Sequence, residues 1–222
     1  SEEALSEPSA LELQRILSVE RVVQNYQGFS SLEAVRPLTK LKVLLVRGSG
    51  KVDTIDALRE LTSLEQLDIG ECRVIDLSPL AGLQQLRELA IDSVGVTDLA
   101  VLASLVNLEK LSITGIPATT IRGLEGLTKL RELNANSSHF SDISSVASAK
   151  SLERVMLNWL TIADLSPLRG ASALRILEMN QAQVGRVDLR GLDQLEVLSA
   201  IGAKLEEFSF VGHLPSLNKL HL

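Results

Sequence analysis

The chain has 222 residues, of which 45 % are hydrophobic and only 3 % aromatic, and leucine alone supplies 43, so its core must be aliphatic. It contains no apolar run approaching the roughly 20 residues of a membrane-spanning helix, and a net charge of -6 argues against nucleic acid or anionic lipid as the main partner. A single cysteine, Cys72, excludes an internal disulfide framework and a thiolate-rich metal site.

From the N-terminus, Ser9 and Glu12 have capping-box spacing, and Leu13, Ile16 and Leu17 share one helical face. This predicts an N-terminal capping helix within residues 1–18. Residues 19–222 are periodic. A degenerate unit with Val19 and Val22 comes first, and nine clear units of the form Leu-x-x-Leu-x-apolar follow, beginning at Leu41, Leu64, Leu86, Leu108, Leu130, Leu152, Leu174, Leu195 and Leu217. Their starts are 21 to 23 residues apart, a regularity that an abundant residue placed at random does not give. Within each unit apolar residues recur five and eight places after the third anchor, as in Val74 and Leu77 or Ile162 and Leu165. The segments Asp76-Leu77-Ser78-Pro79-Leu80 and Asp164-Leu165-Ser166-Pro167-Leu168 set a serine cap before a proline, which predicts a short helical turn. The last unit stops at its third anchor, Leu222, with no polar cap. That predicts a chain continuing past this point, or a last strand covered by a partner.

This pattern resembles the leucine-rich repeat, in the 22-residue class shared by a regulatory subunit of protein phosphatase 1 and the internalins. The segment LDIGECRVIDLSPL is also similar to repeat variants of trypanosomatid proteins. The resemblance covers about residues 19–222 and implies an α/β leucine-rich-repeat solenoid, with a curved parallel sheet on the concave side and short helical or 3-10 turns on the convex side. It further implies a non-catalytic protein-protein interaction module. Two alternatives are a scaffold segment packing against the rest of its own chain at the C-terminal end, and a regulatory module of an enzyme complex. One column departs from the family: where an asparagine usually follows the strand, this chain has Cys72, Val94, Ile116, Ser138, Leu160, Ala182 and Ala203. Small or apolar side chains are expected to fill the core there.

No catalytic constellation is legible. His139, His213 and His221 fall in different columns, Cys72 falls in a core column, and the glycines form no phosphate-binding signature. No catalytic residue, metal or cofactor is therefore expected, and the expected partner is a protein, without nucleic acid or membrane insertion. On the concave face, Lys42, Glu65, Arg87, Glu109, Arg131, Glu153, Arg175 and Glu196 alternate in sign, with Glu88, Lys110, Glu132 and Arg154 beside them in antiphase. Neighbouring strands about 4.8 Å apart would set these as opposite charges, a ladder that fixes register. Beyond it the charge fades. Asn136, Asn158 and Asn180 stack in successive units, flanked by Asn134, Met156, Glu178 and Trp159, the only tryptophan. An apolar anchor among adaptable amides is what a binding hot spot tends to contain, so these seven residues are the expected contact surface. The competing reading is that the asparagines bond along the sheet.

Overall fold

The computed structural model describes residues 14–15, 17–24, 29–205, 212 and 214–222. Most of the expected capping helix, with Ser9, Glu12, Leu13 and Ile16, lies outside the described residues, as does His213. Gln14, Arg15 and Leu17 are helical.

Each unit contributes a three-residue strand centred on its second anchor, because the flanking polar residues point one way and the leucine the other. Ten such strands pair in chain order into one parallel sheet, from Arg21–Val23 through Val43–Leu45, Gln66–Asp68, Glu88–Ala90, Lys110–Ser112, Glu132–Asn134, Arg154–Met156, Ile176–Glu178 and Val197–Ser199 to Lys219–His221. The register is that of the repeat: Leu44, Leu67, Leu89, Leu111, Leu133 and Val155 stand side by side. The degenerate first unit is part of it, with Val22 opposite Leu44. Beneath the sheet, all three anchors of the central units are buried, and the core runs unbroken along the solenoid. No unit could cover its own leucines, so burial is shared between neighbours.

Opposite the sheet run 3-10 helices of three to five residues, including Asp56–Leu58, Ser78–Leu80, Ala100–Ser104, Ser144–Val146 and Ser166–Gly170. Their caps differ from expectation. Ser78 and Ser166 are the first helical residues and make no capping bond of their own. The acceptor lies two residues earlier: Asp76, Asp98, Asp142 and Asp164 each take the backbone N–H of residue i+2 at 2.7 to 2.8 Å. Thr54 and Thr120 do the same with their hydroxyls. The serine would bond a donor inside the helix, but a turn this short has too few, and the aspartate turn satisfies the entry instead.

In the C-terminal half a second, three-stranded parallel sheet joins Thr161–Asp164, Gln183–Arg186 and Lys204–Leu205. Gly185 permits the close approach, since a Cβ there would meet the Ala163 carbonyl oxygen at 2.7 Å.

Candidate functional site

The concave face carries the charge ladder. Arg87 pairs with Glu109, Arg131 with Glu153 and Arg175 with Glu196 at 2.7 to 2.8 Å, whereas Lys42 pairs backward with Glu20 at 3.0 Å and not with Glu65. Beside it Lys110 pairs with Glu88 at 2.7 Å, but Arg154 does not turn to Glu132 as the alternation predicts. It reaches across to Glu178 at 2.7 Å. The next strand holds Ile176 in Arg154's own column, so its nearest carboxylate forward is diagonal. Glu132 is left with no side-chain hydrogen bond or ion pair among the described residues.

Where each strand ends the chain turns sharply, and this turn positions the asparagines. The third anchor's carbonyl accepts the N–H three residues on, as Ile69 does from Cys72 at 3.3 Å and Met179 from Ala182 at 3.2 Å. The third turn residue has positive φ, as in a type II turn: Gly48, Glu71, Ser93, Gly115, Ser137, Trp159, Gln181 and Gly202. The second turn position holds Asn136, Asn158 and Asn180, and each carboxamide oxygen accepts a backbone N–H from the following unit. Asn136 Oδ1 takes Asn158 N–H at 2.8 Å, Asn158 Oδ1 takes Asn180 N–H at 2.7 Å, and Asn180 Oδ1 takes Ile201 N–H at 2.9 Å. Asp92 does this for Thr114 at 2.9 Å. The ladder that the family builds with core asparagines is thus rebuilt one position after the third anchor, two places before the usual column. The original column is filled as expected: Cys72, Val94, Ile116, Leu160 and Ala182 are buried, and burial pushes the Cys72 thiol up to about 11. Ser138 stays polar, directing its hydroxyl to Ile113 O at 2.8 Å and more weakly to Asn136 O at 3.4 Å.

The seven expected contact residues therefore share one edge of the concave face, though not one role. Asn136, Asn158 and Asn180 commit their oxygens to the backbone, and among the described residues their amide nitrogens have no hydrogen-bond partner. Asn134 accepts the Thr114 hydroxyl at 3.0 Å, and Glu178 is the ion-pair partner of Arg154. Met156 is half-buried. Trp159 is 61 % exposed with φ 58°, held by its N–H bond to Asn180 O at 2.9 Å. It has not packed down on its loop.

One feature at this edge escaped the sequence. Arg47 occupies the same turn position one unit before Gly70 and two before Asp92. Its guanidinium lies where a Cβ of residue 70 would be, 2.6 Å away, and reaches Asp68 at 3.0 Å and Asp92 beyond. Burial works against its charge, but the hydrogen bonds it donates to Asp92 and Asp68 prevail and raise its pKa. Arg47 is a rung two units long. The signal was a glycine one period after an arginine and an aspartate two periods after it.

Among the described residues no group of histidine, cysteine and carboxylate side chains could hold a metal ion. The chain is similar to an internalin, InlF, from Listeria monocytogenes, with a TM-score of 0.86 and 24 % identity over 94 % of this chain and 62 % of that one. It is similar to TLR13 in its complex with ssRNA13, at 0.78 and 21 % over 94 % of this chain and 32 % of that one. A plant peptide hormone receptor, RGFR1, in complex with RGF2 gives 0.74 and 15 % over 91 % of this chain and 36 % of that one. The fold is the leucine-rich-repeat solenoid, and the chain spans less than two thirds of each of these proteins. No protein-family model matches it, and no curated protein is significantly similar to it.

Proposed function

We propose that the chain is a non-catalytic protein-recognition module whose concave face binds a protein partner along the edge marked by Trp159. The observation carrying this reading is the exposure of an aromatic ring at that residue. The same left-handed turn position holds glycine at Gly48, Gly115 and Gly202 and polar residues at Glu71, Ser93, Ser137 and Gln181. Here a tryptophan stands in it, 61 % exposed. An exposed aromatic ring in a position otherwise given to glycine or polar residues points to binding. Around the ring, Met156 adds a pliable apolar surface, the amide nitrogens of Asn136, Asn158 and Asn180 offer donors, and Asn134 and the Arg154-paired Glu178 complete the patch. The carboxylates that outnumber the cations, 28 to 22, favour a protein over a nucleic acid. RNA is nevertheless the ligand in the TLR13 complex, so the exclusion rests on charge alone.

Because Trp159 is the sole tryptophan, its emission tests the reading directly. The free protein should emit as a water-exposed indole open to acrylamide, and a bound partner should shift the emission to the blue and protect it from quenching. A partner that binds without altering either property would remove Trp159 from the site.

A further inference from the structure

Away from Trp159 the concave face carries a depression of about 280 Å³ over Ala90 and Ser112. It exists because the third strand column, which projects Asp68, Asn134 and Met156 elsewhere, shrinks here to a methyl and a hydroxymethyl group. The Ser112 hydroxyl is drawn aside to Asp92. The backbone of Leu67, Leu89 and Leu111 forms the floor, their side chains being turned into the core beneath, and Asp68, Glu88 and Glu132 stand in the walls with Lys110 as the one cation of the lining. Adding Arg47 and Asp92 just outside leaves the excess of two carboxylates unchanged.

The neighbouring groove towards the C-terminus, about 420 Å³, shares Lys110 and Glu132 with the depression and sets four glutamates against Lys110, Arg131, Arg154 and Arg175, so it is balanced. The imbalance over Ala90 has a local origin. Asp68 and Glu88 have partners, but Glu132 does not, because Arg154 turned to Glu178.

We propose that this depression is a second subsite, independent of Trp159, that receives a lysine or arginine side chain of an extended protein segment lying across the sheet. The apolar stem rests on the Ala90 methyl while the cationic head meets Glu132, an arrangement long basic side chains favour. Opposite charge steers the segment to this half of the face and away from the balanced half.

The probe is the tripeptide acetyl-Gly-Lys-Gly-amide, titrated into the full chain while backbone amide chemical shifts are followed, with acetyl-Gly-Glu-Gly-amide as control. The lysine peptide should shift Ala90, Ser112, Glu132 and Asn134 saturably, and the glutamate peptide should not. Glu132→Gln should weaken binding about fivefold, the scale of one partly exposed ion pair, and Ala90→Leu, which fills the depression, should abolish it. Trp159→Ala should leave it unchanged, so this subsite and the Trp159 site stand or fall separately. No saturable shift at these residues, equal binding by Glu132→Gln, or equal shifts along the balanced groove would overturn the proposal.

Discussion

Replacing Asn158 by alanine separates a structural asparagine from a binding one. Its side chain is 6 % exposed, and its Oδ1 is the acceptor for the Asn180 N–H at 2.7 Å. Alanine removes that acceptor and leaves the donor facing a half-buried turn, while the N–H of residue 158 keeps its own bond to Asn136. An unsatisfied buried donor costs about 1–3 kcal/mol. Asn180 is only half-buried and water can reach the turn in part, which puts the expected loss at about 1–2 kcal/mol. Asn158→Asp keeps an acceptor oxygen in place, as Asp92 does naturally for Thr114, and should lose less. Urea unfolding with a common slope measures both. If Asn158→Ala were as stable as the parent, or no less stable than Asn158→Asp, the ladder of turn asparagines would have no structural value.

Other perturbations probe the rest of the account. Leu133→Ala removes a fully buried anchor supported on both sides and should cost about 2–5 kcal/mol in the same assay. Arg131→Glu breaks the pair with Glu153 and sets three acids in successive units; it should destabilise modestly, with part of the loss recovered by added salt, and a loss independent of ionic strength would refute the side-by-side geometry. Asp188 is held well below the usual carboxylate range by the paired hydrogen bonds of Arg190, with Arg169 adding to them. A lowered folded value means that its stabilisation is complete above about pH 4 and is lost as pH falls through the folded value. Thermal melts from about pH 5 to about pH 2 should therefore fall less steeply for Asp188→Asn than for the parent.

The strands were legible because a leucine at every third and fifth place of a 22-residue period admits one arrangement in which all of them are buried together. The charge columns were legible for the same reason, since a fixed period converts sequence position into lateral neighbours. What escaped depended on choices the period does not make. Asp76 and Ser78 are both helix-entry residues, and only the shortness of the turn assigns the bond to the aspartate. Arg154 has Glu132 before it in its own column and Ile176 after it, and the period does not decide that it turns to the diagonal Glu178 instead of Glu132. Arg47 reads as an ordinary surface cation until Gly70 is seen beneath it. At the candidate site the sequence placed the seven residues on one edge but left open whether the asparagines bond the sheet or face a ligand. They do the first with their oxygens, and among the described residues their amide nitrogens have no hydrogen-bond partner.

The central claim, recognition of a protein along the Trp159 edge, is tested most directly by the affinity of a partner captured from the source organism for three forms of the chain: the parent, Trp159→Ala, and Arg169→Ala on the opposite side of the core. Trp159→Ala should retain the fold and lose about thirtyfold in affinity, corresponding to about 2 kcal/mol for a hot-spot residue, while Arg169→Ala binds as the parent does. A partner indifferent to Trp159→Ala but lost on Arg169→Ala would contradict the account and place recognition on the convex side.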